Sequence, residues 1–478
     1  MVLVLTVVVL QSISFSNYAL TTKTTNIIYG SAPYLTFDGG RTRVTNTEAL
    51  LGISLSDGRT FTPTTNNSSY RNPIVLPVDG QSFNDIGMLV PRNTDSIALS
   101  SLIGAPYNYW GDDDGDGQGV NGITATGSLN LSIVNNWGQS VARNQVLDSC
   151  DDKAPYRLTL SNTNGTLTTR YGIPNESRFE PRTATYYINP KKTTPKICFA
   201  RPDLENVGGI SADVWKLDYG FLPQSVTPSS YGLNFPTTGA HNLFFDLWIG
   251  GVSQALSWAP VSHGGITATM TDTPNHITFY YSVRVTLTGP AVTDPNQWES
   301  ENPDRIDRPS LPQVFELVGR DSSGNAVVKY GFELKQWFVN RGNAWVNYSS
   351  VESWCNKIGG YRLPNVKDLT NASCRAYRGN SEVTCNGLVE ATPTASGSDA
   401  RRHIGAGFFT EWGYMCKYRG ANFPCSDRIP GGGFTFNYWT QDRVDSTQKF
   451  FYVDSYDGSM TTRNGNINNK HGGLCVYP

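Results

Sequence analysis

The run Tyr348-Ser349-Ser350-Val351-Glu352-Ser353-Trp354-Cys355-Asn356-Lys357-Ile358-Gly359-Gly360-Tyr361-Arg362-Leu363-Pro364-Asn365-Val366-Lys367-Asp368-Leu369 contains two short helices. Val351, Trp354, Cys355 and Ile358 recur at helical spacing and share one face, with Ser349 and Glu352 placed as a reciprocal N-terminal cap. Gly359 and Gly360 end this helix. Pro364 discourages a helix from running through Leu363, and Asn365, three residues before Asp368, caps the second. Cys355 therefore faces inward. Its natural partner is Cys475, in the apolar-flanked segment Gly473-Leu474-Cys475-Val476-Tyr477, which reads as a last strand. A bridge between them closes nearly the whole C-terminal module into one covalent loop.

An aromatic strand from Tyr330 to Trp337, the helix ending in Trp354-Cys355, the turn Gly360-Tyr361-Arg362-Leu363-Pro364, the strand Phe436-Asn437-Tyr438-Trp439-Thr440 and the ending Gly473-Leu474-Cys475-Val476-Tyr477-Pro478 together resemble a C-type-lectin-like domain. Such a domain closes the passengers of the invasin and intimin adhesins of Gram-negative bacteria. Residues 32–63, 109–134 and 184–202 resemble the adhesion region of the invasin-E type, and the likeness covers most of residues 26–478. The resemblance implies Ig-like β domains carrying a protein-binding tip. It departs from sugar-binding lectins, because the E-P-N and Q-P-D motifs are missing and Trp439 is followed by Thr440-Gln441-Asp442.

Length and composition agree with that architecture. A chain of 478 residues exceeds one ordinary core. Charged residues make up 16%, with 47 Gly and 27 Pro, so short strands and many turns are expected instead of long amphipathic helices. The expected class is mainly β: Ig-like sandwich domains followed by a disulfide-stapled α+β lectin-like domain. A net charge of -2 gives no electrostatic case for nucleic acid.

The eight cysteines form no C-x-x-C and have no zinc-like spacing with histidine. Pairing by neighbourhood gives Cys150 with Cys198, Cys355 with Cys475, Cys374 with Cys385 and Cys416 with Cys425, which suits an oxidising compartment. The apolar run Val2–Leu10 is too short to span a bilayer and reads as a signal-peptide core, with cleavage near Ala19 and no positive residue before Lys23.

The expected order is a signal peptide (1–19), an N-terminal β domain (20–127), an Ig-like adhesion region (128–289), a linker (290–312) and the lectin-like domain (313–478). Ser128 to Val141 alternates apolar and polar around an Asn135-Asn136-Trp137-Gly138 turn, as an opening hairpin does. Leu243 to Ile249 is apolar on both faces except at Asp246, as a covered central strand would be. Pro290, Pro295, Pro303, Pro309 and Pro312 mark a stiff linker.

Asp112, Asp114 and Asp116, followed by Gly117, alternate as in a calcium loop. Position twelve is Ile123, where a bidentate acid is needed. Calcium is the one cofactor in view, and none is required. No nucleophile elbow, zinc-protease, phosphate-loop or dinucleotide motif occurs, and the five histidines are scattered, so the chain is expected not to be an enzyme. Aromatic and Arg-rich loops on a stapled scaffold are what protein interfaces use. Trp412, Tyr414, Tyr418, Phe423, Arg401 and Arg402 are therefore the candidate contacts, while Phe436, Tyr438 and Trp439 are assigned to the core.

The expected partner is a protein receptor on a host or bacterial surface, with the chain secreted or displayed outside the outer membrane. No series of barrel-like strands is legible. The resemblance to Zir-type secretion pairs accordingly implies delivery by a separate intimin-like barrel, the alternative role is an exported accessory or virulence-modulating protein, and a more distant one is an extracellular glycan-binding protein or hydrolase.

Overall fold

A computed structural model describes the chain from residue 29 to 478, apart from 116–121, 149, 151–152, 192–193, 206–207, 253, 274–280, 374, 379–380, 385–387, 425–435, 445–448 and 466–467. The apolar N-terminal run, Asp116, Cys374, Cys385 and Cys425 lie outside the described residues. The chain divides into two compact units: one reaches Leu147 and adds Lys153–Asn189, and the other takes Asp148–Asp152 with Pro190–Pro478.

The first unit is built on a five-stranded sheet in the order Ile74–Val75, Arg182–Asn189, Tyr156–Asn162, Ser128–Val134, Ser96–Ala98. Period-2 patterning decides which face is buried. Leu129, Leu131 and Ile133 point inward from one strand, Tyr156, Leu158 and Leu160 from the next, and Ala184, Tyr186 and Ile188 from the third. The register sets these faces together, with Leu131 opposite Leu160 and Leu160 opposite Ala184. Ser128–Val134 is thus an inner strand of the N-terminal unit, hydrogen-bonded to Ser96–Ala98 on one side. This corrects the expectation of a new domain at residue 128: the alternation was read rightly, but its partners lie on both sides of the proposed boundary.

The second unit contains a seven-stranded sheet ordered Trp215–Lys216, Gly220–Phe221, Lys196–Arg201, Phe244–Gly250, Tyr281–Thr288, Ile266–Asp272, Val261–His263. Phe244–Gly250 is the covered central strand, and the exception, Asp246, pairs with Arg284 directly opposite it at 2.8 and 2.9 Å. Phe245 on its inner face meets Phe332 edge-on at 5.9 Å, which brings in a second sheet of Ser257–Trp258, Gln313–Arg320 and Ala326–Leu334. The result is a β-sandwich. Cys198, bonded to Cys150, lies on the other side of the large sheet among Phe199, Tyr219 and Trp248.

From Gln336 the chain builds an α+β module. Gln336–Asn340 lies between Leu474–Tyr477, antiparallel, and Thr238–Ala240, parallel. Helix Tyr348–Lys357 packs Val351, Trp354 and Cys355 inward, and Cys355 is bonded to Cys475. Asn347, not Ser349, caps the helix. Its side chain accepts from the Ser350 N–H at 3.0 Å, while the Glu352 carboxylate is taken by the Tyr348 hydroxyl. The cap on Val366–Leu369 is the expected reciprocal pair of Asn365 and Asp368. Phe436, Tyr438 and Trp439 are buried in the same core.

Residues 290–312 do not separate two bodies. One continuous core runs from Ala200 through Phe315 to Val476, and the Pro-rich segment is strapped against it. The Trp354 indole N–H donates to Gln297 O at 3.0 Å, the Tyr361 hydroxyl to Asp307 O at 2.8 Å, and Ile306 N–H to Ile358 O at 2.7 Å. Arg341 donates to Trp298 O. The segment docks mainly through its carbonyls, with the Ile306 N–H as a donor of its own. The expected linker is corrected to a bound strap.

Candidate functional site

The candidate contact residues converge on helix Phe408–Trp412 and the loop that follows. The sequence Phe408-Phe409-Thr410-Glu411-Trp412 leaves little polar surface, and all five residues are buried. An acid in such a place needs donors on every side. Glu411 has them: its carboxylate accepts from Thr237 N–H at 3.1 Å, Thr238 N–H at 3.0 Å, Gly405 N–H at 2.8 Å, and the hydroxyls of Thr237 and Thr238 at 2.8 and 2.6 Å. Burial pushes this carboxyl up from the ordinary glutamate range, and the Thr238, Gly405 and Thr237 donors pull it back. Trp412 adds an indole N–H to Thr238 O at 3.1 Å.

Arg402 works beside it. The guanidinium is fully buried, donating to Glu411 O at 2.9 Å and Asp203 O at 2.7 Å, and lies 5.0 Å from the Trp215 ring centroid. Burial lowers its pKa, opposed by Tyr418 and Asp203. Asp203 is pushed up by burial, with Arg402 pulling the other way. Tyr418 donates its hydroxyl to Trp412 O at 2.6 Å and accepts from Asp203 N–H at 2.9 Å. Phe423 packs with its ring centroid 6.0 Å from that of Phe408.

Trp412, Tyr418, Phe423 and Arg402 are therefore core, and as partner contacts they are corrected: all four are buried, Phe423 the least so at 7% exposure. Two candidates stay outside. Arg401 is exposed and Tyr414 is half-buried, its ring edge-on to Tyr456 at 4.9 Å. Lys417, ion-paired with Glu205, and Arg419 are exposed next to them in the chain. The role of Glu411 was missed by the sequence reading. Its only local signal is a lone acid inside an aromatic run, and its partners Thr237 and Thr238 lie more than 170 residues away.

In the first unit the acidic run is tied into the protein. Asp113 pairs with Arg43 and accepts from the Tyr34 hydroxyl at 3.2 Å, and Asp114 accepts from Ser31 N–H at 2.6 Å. Arg43 thus supplies a countercharge of its own. Cys416 is disulfide-bonded, with the expected partner, Cys425, outside the described residues. No helix among the described residues is long and apolar enough to cross a membrane.

No protein-family profile and no curated protein matches the chain. Among solved structures it is similar to invasin, a bacterial integrin-binding protein, at 11% identity and a TM-score of 0.34, covering 75% of this chain and 52% of that one. It is also similar to the C-terminal 282-residue fragment of intimin in complex with the intimin-binding domain of the translocated intimin receptor. There the identity is 12% and the TM-score 0.31, over 77% of this chain and 92% of the fragment. The chain resembles the invasin and intimin adhesins. It spans about half the length of the invasin structure it matches.

Proposed function

We propose that this chain is a secreted or surface-displayed bacterial adhesin. Its C-terminal lectin-like module binds a protein receptor through the surface carrying Arg401, Tyr414, Lys417 and Arg419. One observation carries this reading: the segment from residue 401 to 419 is anchored from beneath by Arg402, Glu411, Trp412 and Tyr418, all buried. The exposed side chains are thereby presented on a base with little freedom to lose. A contact surface held in place before the partner arrives binds at a lower entropic cost, and Tyr and Arg are the residues that most often dominate such contacts. The quoted likeness of residues 348–369 and 473–478 to adhesin tips agrees with this. The chain is read as a binding protein and not an enzyme.

The test uses the mature chain, because the module shares its core and its strand Thr238–Ala240 with the preceding sandwich. Saturable binding to epithelial cells is expected. Replacing Arg401→Glu, Tyr414→Ala and Arg419→Glu together should abolish it, while Trp137→Ala, on an exposed turn of the first unit, leaves it intact. Binding unchanged by the triple replacement would refute the assignment of the contact surface. Fractionation of the native host completes the test. Protein confined to the periplasm, with no cell binding, would replace adhesion by an accessory role beside a separate outer-membrane barrel.

A further inference from the structure

The strap has a second property. Where it crosses the second unit, residues 305–310 form the floor of an open cleft of about 600 Å³, lined by Gly264, Gly265, Arg305, Ile306, Asp307, Arg308, Ser310 and Gly359. One wall is the turn at Gly264–Gly265, whose Gly264 O accepts from Ser310 N–H at 2.8 Å. The other is the end of helix Tyr348–Lys357, where Ile358 O accepts from Ile306 N–H at 2.7 Å. Glycine is required on both walls. Gly264 and Gly359 hold φ of 57° and 138°, and a Cβ there would stand 2.5 Å from Ser310 O and 2.6 Å from Ile306 O. The cleft is thus pre-formed by backbone contacts.

Its side chains are unusual for a surface with mixed charge. Among the described residues Arg305 makes no hydrogen bond or ion pair, and Arg308 has only the ring of Tyr477, 5.8 Å from its guanidinium. Two guanidinium groups three residues apart thus stand without an ion-pair partner in a lining that holds one carboxylate, Asp307, with Asp304 outside it, next to Arg305 in the chain. Guanidinium is the group suited to bidentate capture of a carboxylate or sulfate. A nearby carboxylate and carbonyls accept from hydroxyls. The volume falls within the usual range for small-ligand sites, but Ile306 is the only large apolar residue in the lining, which disfavours an apolar side-chain anchor.

We propose that this cleft binds an acidic sugar residue without calcium, Arg305 and Arg308 holding its carboxylate or sulfate and Asp307 its hydroxyls. This goes beyond the protein-receptor reading and uses none of its residues.

Titration calorimetry of the mature chain tests it, with sialyllactose, a sulfated heparin-type disaccharide, uncharged lactose and a hexaglutamate peptide as probes, all in EGTA. One acidic sugar should bind at least tenfold more tightly than lactose, and which one it is identifies the anionic group. R305Q/R308Q should weaken that binding at least tenfold with the melting temperature within about 1 °C of the wild type, since the two exposed arginines lose only the 5.8 Å contact of Arg308 with the Tyr477 ring. Asp307→Asn should weaken it as well. The proposal is overturned if neither acidic sugar binds at millimolar concentration or if the double variant binds like the wild type. It is also overturned if Asp307→Asn tightens binding, which marks a simple charge patch, or if hexaglutamate binds as well as the sugars. Sugar binding that survives Arg401→Glu, Tyr414→Ala and Arg419→Glu separates this cleft from the protein-binding surface.

Discussion

Replacing Glu411 removes the one carboxylate on which three backbone N–H groups and two hydroxyls converge, and the size of the effect can be worked from its partners. In Glu411→Gln the amide nitrogen must take the place of one oxygen. Thr237 N–H lies 3.1 Å from either oxygen and keeps a partner in both orientations. If the nitrogen replaces Oε1 it faces Gly405 N–H, and if it replaces Oε2 it faces Thr238 N–H. The Thr238 N–H is buried and would lose its acceptor at a cost of about 1–3 kcal/mol, whereas Gly405 is exposed and its N–H can turn to water, so the amide nitrogen takes the Oε1 position; the threonine hydroxyls can rotate. The bonds that remain change from charge-assisted to neutral and weaken. Relief of the carboxylate's desolvation offsets part of this. The net expectation is about 1–2 kcal/mol for Glu411→Gln and about 4 kcal/mol for Glu411→Ala, which orphans the two buried N–H groups of Thr237 and Thr238.

Differential scanning calorimetry reads this on the second unit's transition. In a body of that size 1 kcal/mol corresponds to about 2 °C, so Glu411→Gln should lower the midpoint by about 2–4 °C, Glu411→Ala by about 8 °C, and both should leave the first unit's transition in place. Thr238→Val combined with Glu411→Gln should cost less than the sum of the single changes, because the two side chains share a bond. A fall below 1 °C for Glu411→Ala would refute the reasoning, since it would mean that the donors find other partners at no cost.

Removing the Cys355–Cys475 bridge, which closes a sequence separation of 120 residues, by the double replacement Cys355→Ala and Cys475→Ala should cost the second unit about 4–5 kcal/mol on the chain-entropy account, seen as a lower denaturant midpoint with the other disulfides kept oxidised. Gly407→Ala should be far more damaging than Gly324→Ala, although both glycines have positive φ. A Cβ at 407 would meet Thr370 N at 2.5 Å, whereas at 324 nothing lies within 4 Å and only the strain of about 1 kcal/mol remains; urea melts of the two variants compare them directly. His241 is held below its ordinary pKa by burial, and its Nδ1 accepts from Gly289 N–H at 3.3 Å. The unfolded chain therefore binds this proton first: the contribution is fully present above about pH 6.5 and is lost as pH falls toward the folded value. His241→Asn should flatten that slope in melts between pH 7 and 5. We propose as a test of the acidic run read from the sequence, Asp112, Asp114 and Asp116, that calcium binding there would raise the first unit's midpoint by about 5–10 °C at a hundredfold excess over Kd, and equal midpoints in calcium and EGTA would remove the ion from the account.

What the sequence disclosed and what it hid follow from one distinction, the reach of the interaction concerned. The helix face of Val351, Trp354, Cys355 and Ile358, the cap at Asn365 and the terminal strand around Cys475 are set by spacing within a few residues, so the Cys355–Cys475 bridge could be inferred before any coordinates. The same holds for Phe244–Gly250, whose two apolar faces call for cover on both sides whatever supplies it. The domain boundaries at 128 and 290 went wrong where a local pattern is compatible with more than one set of distant partners. Alternation in Ser128–Val134 fixes a buried face but not the strands beside it. Five prolines remove N–H donors from the strap but say nothing of its carbonyls, and Arg341, Trp354 and Tyr361 use those carbonyls to bind it.

The contact surface obeys the same rule. Trp412 and Tyr418 carry a polar tip on a large apolar body, so they are equally suited to an interface and to a core that satisfies that tip. Only the partner decides between the two, and for Trp412 it is Thr238, 174 residues earlier. On the proposed reading, the buried aromatic and charged residues of this loop are the base on which Arg401, Tyr414 and Arg419 are carried. Under the proposed adhesin function, replacing Thr238 or Glu411 should weaken receptor binding without either residue touching the receptor. That loss should scale with the mobility it introduces at Tyr414, read by the local rate of amide hydrogen exchange.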